Sequence, residues 1–220
     1  MSGPYNKLFD HTLLCADATC ANIEKLCAEA VENNFFSVCV NPSYVNFAAK
    51  QLANFDVKVC SVVGFPLGQS TTKQKTYEAK CAIKDGADEI DMVMNIPHFR
   101  QNFQLAVNEI RNVKKICKKK VLKVIIETAL LTDEEIQKAT IAVIKGGADF
   151  VKTSTGFSYR GVSIKDVQII KSTSDKYGPI SIKASGGIKT SQDVRNLVSI
   201  GVNRIGSSRS VEIINQLKSS

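Results

Sequence analysis

The chain has 220 residues, 44% of them hydrophobic, which is enough for one sizeable core and too little for several large domains. Its 29 basic and 21 acidic residues leave a formal net charge of +8 at pH 7, which suits small anionic ligands as well as nucleic acid. Residues 1–10 lack the apolar stretch of a secretory leader, no apolar run reaches bilayer length, and the seven cysteines form no Cys-x-x-Cys pair, so the expectation is a reduced, cytoplasmic chain with no disulfide framework, zinc site or membrane contact.

Short apolar strands alternate with longer amphipathic helices along the whole chain. Residues 8–14 read as the first strand and 20–33 as a helix. Residues 36–40 are the second strand, after which Pro42 opens a helix at a position that tolerates proline. A valine-rich third strand covers 57–64, and a helix covers 72–84. The fourth strand is 89–94, and the longest helix follows over 99–118. The basic run at its end, Lys114-Lys115 with Lys118-Lys119-Lys120, complements the helix dipole. No aromatic residues interleave with it, which argues against a nucleic-acid partner. Strand five covers 121–127. Thr132 and Glu135 have capping-box spacing and start a helix that runs to 145. Strand six is 150–153, strand seven 180–183 and strand eight 203–206. Ser163 with Asp166 and Thr190 with Asp193 start the two intervening helices, and a last helix covers 211–217. Gly86-Ala87-Asp88, Gly147-Ala148-Asp149 and Gly201-Val202-Asn203 each end a helix before a strand, where glycine supplies left-handed backbone. Eight β–α units without a linker predict an α/β fold, a single-domain (β/α)8 barrel over residues 1–220. A doubly wound open sheet is the alternative.

In such a barrel the functional groups gather at the C-terminal ends of the strands. Asp91 lies on strand four, sharing a face with Glu89 and Val93. Strand five carries Lys123 and Glu127, for which an ion pair inside the barrel is expected. Strand six ends in Lys152 and strand seven in Lys183. A lysine buried without a partner tends to lose its proton and become a nucleophile towards carbonyls. Two ammonium groups on neighbouring strands repel, so one sheds its proton more easily. Asp91 beside them suits a proton shuttle. The bland alternatives are that Asp91 only neutralises a barrel lysine and that Lys183 is a surface residue. Anion binding is expected at Gly186-Gly187 after strand seven and Gly206-Ser207-Ser208 after strand eight, helped by Gly156 and the hydroxyls of Thr153, Ser154 and Thr155.

Seven motifs follow one another along nearly the whole chain: Asp10-His11-Thr12-Leu13-Leu14, Ser37-Val38-Cys39-Val40-Asn41-Pro42, Val62-Val63-Gly64-Phe65-Pro66-Leu67-Gly68, Gly86-Ala87-Asp88-Glu89-Ile90-Asp91-Met92-Val93, Lys123-Val124-Ile125-Ile126-Glu127-Thr128, the stretch Asp149 to Phe157 around Lys152, and Lys183-Ala184-Ser185-Gly186-Gly187-Ile188. On these residues the sequence closely resembles the deoxyribose-phosphate aldolases, class I enzymes. The resemblance implies a (β/α)8 lyase without metal or other cofactor that acts on a phosphorylated sugar. It implies Lys152 as the Schiff-base lysine, with Lys183 and Asp91 as its proton-transfer partners. Thr12 and Cys39 fall where that family lines its substrate pocket. Barrels of this type commonly pair, so a homodimer or higher homo-oligomer is expected.

Some positions depart from the family pattern. Arg209-Ser210 follows Ser207-Ser208 where a glycine is usual, and Arg209 is expected to face solvent rather than phosphate. Lys189 stands where a basic residue often follows Gly-Gly-Ile. Cys15 replaces a common lysine, and Ser219-Ser220 stand in place of the tyrosine-ended tail of some members. Two other readings are a Schiff-base aldolase for a different phosphorylated sugar and a basic binding module without enzymatic activity.

Overall fold

The computed structural model describes residues 5–219. Residues 1–4 and Ser220, which the leader and tail readings touch, lie outside the described residues. Eight parallel strands close into a barrel in sequence order. They are β1 (Phe9–Leu13), β2 (Ser37–Val40), β3 (Lys58–Val63), β4 (Glu89–Val93), β5 (Val121–Ile125), β6 (Phe150–Lys152), β7 (Ser181–Ser185) and β8 (Arg204–Ser207). Closure is made by β1 against β8, with Phe9 opposite Ile205. The open-sheet alternative is therefore excluded.

The helices outside the barrel are α1 (Cys20–Glu32), α2 (Val45–Gln51), α3 (Thr72–Lys84), α4 (Ile96–Gln101), α5 (Phe103–Cys117), α6 (Asp133–Gly146), α7 (Ile164–Tyr177), α8 (Ser191–Ser199) and α9 (Ser210–Lys218). No helix among the described residues is long and apolar enough to cross a membrane. The three predicted capping boxes form, and Thr19 with Asn22 and Thr71 with Gln74 make two more. Each box satisfies two N–H groups that the first helical turn leaves unpaired.

Several boundaries differ from the sequence reading, each for a local reason. The long helix expected over 99–118 is broken at Asn102. That residue is extended (φ −158°), and its side chain accepts from the Gln104 N–H, so it caps a new helix, α5, instead of continuing α4. The chain after Pro42 first makes a 3-10 turn, Pro42–Tyr44, before α2. β5 stops at Ile125, and Glu127 then turns left-handed (φ +53°). β7 continues past Lys183 to Ser185. Lys183 therefore sits in mid-strand, not at a strand end or on the surface.

Alternation along the strands separates two layers. Val38, Ile90, Met92, Leu122, Val124, Val151, Ile182 and Ile205 belong to the apolar cluster shared with the helices. The opposite set includes Asp10, Ser37, Cys39, Cys60, Glu89, Asp91, Lys123, Lys183 and Arg204, all buried. Most parallel sheets bury apolar side chains on both faces. Here the barrel interior is charged instead.

A separate buried pair supports the mouth of the barrel. Lys75 Nζ donates to Glu109 Oε1 at 2.9 Å and to the Val93 carbonyl at 2.8 Å. Glu109 Oε2 accepts the Asn95 N–H at 3.1 Å. Together these bonds fix the chain leaving β4. Removing one partner strands a buried charge. Glu109→Ala is expected to lower stability by about 3–5 kcal/mol in urea unfolding. The double variant Lys75→Met/Glu109→Ala should lose less than Glu109→Ala alone. If the single variant unfolded at the parental urea concentration, the pair would have no supporting role.

Candidate active site

Lys152 ends β6 and is 2% exposed. Its Nζ donates to Asp91 Oδ2 at 2.7 Å. Lys183, its register partner on β7, donates to the same oxygen at 2.7 Å. The two amines are thus brought together, joined through one carboxylate oxygen. Lys183 also lies 2.5 Å from Asp10 Oδ2.

Asp91 is engaged from its other side as well. Its Oδ1 accepts from Lys123 at 2.9 Å and from the Cys60 thiol at 3.1 Å. Lys123 reaches Glu89 Oε2 at 2.5 Å, with Asp10 Oδ2 3.8 Å away. Arg204 closes the cluster. One guanidinium nitrogen bonds Asp10, the other bonds Glu89 at 2.8 Å, and the plane stacks on Phe36. The expected Lys123–Glu127 ion pair is not made, because Lys123 points down the barrel to Glu89 and Asp91. Glu127, past the strand end, instead accepts from Thr155.

The charges support one another electrostatically. Burial alone would raise the Asp91 carboxyl, but Lys123, Lys152 and Lys183 outweigh it and hold the group well below the usual carboxylate range. Asp10 is likewise lowered against its burial, first by Lys183. Burial works against the Lys183 ammonium, yet Asp10 and Asp91 raise it above an ordinary lysine. Lys123 is raised against its burial in the same way, chiefly by Asp91.

A cavity of about 280 Å³ opens above Lys152. Its walls include Thr12, Thr155, Gly156, Gly186, Gly187, Lys189, Gly206, Ser207, Ser208 and Arg209. Nearly every residue expected at a substrate pocket is therefore brought together. Cys39, Thr153 and Ser154 are the exceptions, all three fully buried. Cys39 packs in a small cluster with Leu14, Cys60 and Val62, 4.0 Å from Asp91 Oδ2. Gly186 and Gly187 both take left-handed backbone (φ +83° and +76°), which a β-carbon would strain. At Gly206 a β-carbon would lie 3.1 Å from Lys183 Cε, so glycine here leaves room for that side chain.

The hydroxyls expected to help bind an anion are used within the protein. Thr153 Oγ1 accepts the Ser185 N–H at 3.2 Å, and Ser185 Oγ donates to the Ser154 carbonyl at 2.6 Å. The Thr155 hydroxyl goes to Glu127 and that of Ser207 to the Ile188 carbonyl. These bonds stitch the loops after β6, β7 and β8 into one rim. Arg209 is half-exposed at the cavity edge and pairs with Glu212 at 2.9 Å.

Asp10, Arg204 and Cys60 are site residues that sequence reasoning did not single out. For Asp10 the signal was present, since it alternates with Thr12 on β1.

Comparison with known proteins gives a consistent picture. The family model described as DeoC/LacD family aldolase matches residues 6–208. The chain is 64% identical over 213 residues to a deoxyribose-phosphate aldolase of Mycoplasmoides pirum, covering 96% of this chain and 97% of that one. With the enzyme of the same name from Mycoplasma pneumoniae the identity is 54% over 213 residues, covering 97% and 94%. Among solved structures, the deoxyribose phosphate aldolase from Aeropyrum pernix, described as having a unique tetrameric structure, superimposes with a TM-score of 0.91 at 32% identity, covering 97% of this chain and 91% of that one.

Proposed function

The chain belongs to the DeoC/LacD family of aldolases, and from that premise we propose that it cleaves 2-deoxy-D-ribose 5-phosphate reversibly to D-glyceraldehyde 3-phosphate and acetaldehyde through a Schiff base on Lys152. The observation that carries the mechanism is the pair of 2.7 Å bonds from Lys152, which lines the cavity, and Lys183, which is buried, to one oxygen of Asp91.

Charge counting supports the choice of lysine. In the directly bonded cluster the cations are Lys123, Lys152, Lys183 and Arg204, and the carboxylates are Asp10, Glu89 and Asp91. The cluster balances when one amine is uncharged. Lys183, Lys123 and Arg204 each contact at least two carboxylates, whereas Lys152 contacts only Asp91. Lys152 thus has the fewest ionic partners in the cluster, and it is the amine that borders the cavity.

The uncharged Nζ adds to the aldehyde carbon of the open-chain sugar. The carbinolamine hydroxyl takes up a proton from solvent and leaves as water, giving an iminium, an electron sink, and that proton is returned at the final hydrolysis. The proton of the carbon-three hydroxyl passes to Asp91 through water, the bond between carbons two and three breaks, and glyceraldehyde 3-phosphate leaves. The electron pair remains as an enamine on carbon two. Protonation there from the Asp91–Lys183 pair, then hydrolysis, releases acetaldehyde and restores the amine. The glycine-bearing loops after β7 and β8, with Lys189, would hold the phosphate. The seven free cysteines suit a reducing, cytoplasmic setting. A homo-oligomer is expected, as a sizing column can check.

The test is acetaldehyde release from deoxyribose 5-phosphate with a chelator present. Turnover should persist undiminished. Faster turnover of another sugar phosphate would reassign the substrate, and a dependence on added metal would remove the Schiff-base mechanism.

A further inference from the structure

Glu127 takes no part in the charged cluster, yet it is 5% exposed and holds a backbone conformation that side chains rarely adopt (φ +53°, ψ 69°). A strained residue at a strand end next to a reactive site points to a role there. We propose that Glu127 is a positioning residue for the phosphate end of the pocket, acting through Thr155; this deepens the aldolase reading and rests on it.

The left-handed turn aims the carboxylate at the loop after β6. Glu127 Oε2 accepts the Thr155 N–H at 3.2 Å and also its hydroxyl. Thr155 Oγ1 in turn accepts the Phe157 N–H at 3.0 Å. One carboxylate thus orders three consecutive wall residues, Thr155, Gly156 and Phe157. A chain of such bonds stiffens beyond its separate members.

Gly156 and Gly161 connect this wall to the neighbouring loop. A β-carbon built on Gly186 would lie 3.5 Å from Gly156 Cα and 3.0 Å from Gly161 Cα. The Val162 N–H donates to the Gly186 carbonyl at 3.1 Å. The segment that Glu127 holds therefore meets Gly186 through Gly156, and the loop continues along Gly186 through Gly161 and Val162, where the phosphate is expected. Lys152 is held separately, by Asp91. Burial pushes the Glu127 carboxyl up, and the bonds from Thr155 oppose that.

The test compares kcat and KM for deoxyribose 5-phosphate and for unphosphorylated 2-deoxyribose. In Glu127→Ala the preference for the phosphorylated sugar, as a ratio of kcat/KM values, should fall ten- to a hundredfold, mostly through KM. Glu127→Gln keeps one acceptor oxygen, so it should lie between parent and alanine; it also serves if the alanine variant does not fold. Glu127→Ala/Thr155→Val should lose little more of the preference than Glu127→Ala. Equal losses for both sugars would place Glu127 at the reacting carbons, and an unchanged ratio would show that the loop holds its shape alone; either result overturns the proposal. The unmodified chain is assayed alongside. Its failure to cleave deoxyribose 5-phosphate would sink the aldolase reading, whereas only the ratio between variants bears on Glu127.

Discussion

Replacing Lys152 with alanine should abolish cleavage of deoxyribose 5-phosphate, by roughly four orders of magnitude or more, as losses of covalent nucleophiles do. Reduction with borohydride in the presence of acetaldehyde should add a two-carbon adduct to the parent and none to the variant. Lys183 and Lys123 are also buried among carboxylates, but neither is found among the residues that line the cavity. Both are raised above ordinary lysine and remain charged, hence non-nucleophilic. An adduct mapping to either of them, in parent or variant, would overturn the assignment. The fold should tolerate the change, because losing an uncharged amine with a single carboxylate partner leaves the charge balance of the cluster as it was.

Asp91→Asn should do the reverse damage. Its shape is nearly that of the parent residue, so packing is kept while the charge goes. Lys123, Lys152 and Lys183 all lose the carboxylate they share. Breaking buried pairs of this kind costs about 3–5 kcal/mol, which urea unfolding should register. Loss of a positioned acid–base group should lower kcat by about 10²–10⁴. The borohydride adduct should still form on Lys152, since the nucleophile is intact. The pH dependence has a definite sign. The folded-state value of Asp91 is depressed, so its contribution to stability is present above the unfolded value of about 3.8 and is lost as pH falls below it. The variant should therefore show a shallower loss of stability on acidification than the parent. A kcat within threefold of the parent would remove Asp91 from the mechanism.

The barrel was legible in the chain because its signals are local. Capping boxes, helix-ending glycines and valine-rich runs each depend on a few neighbouring residues, and they mark the borders of successive β–α units. The break at Asn102 was missed because an asparagine can point outward in a helix or fold back to cap one, and only the structure decides between them. Lys183 was placed too near its strand end because Ala184 and Ser185 carry little strand preference of their own. Asp91, Lys152 and Lys183 could be proposed as neighbours from their strand positions, but the electrostatics that join them could not. Arg204 meets Asp10 across 194 positions, and Lys183 meets Asp91 across 92. Register around a closed sheet creates those meetings, and no pattern within one strand announces them. The wrong partner for Lys123 has the same origin: Glu127 lay on the expected face only if the strand ran on, and it does not.

The ionic lining of the barrel limits how this sequence can drift. On the helix-facing side, one aliphatic residue can replace another of similar volume at small cost. Inside, a neutral replacement of Asp10, Glu89, Asp91, Lys123, Lys183 or Arg204 orphans an opposite charge, so viable changes at these positions must come as matched sets. The inner lattice should thus diverge in jumps, and the outer shell one residue at a time.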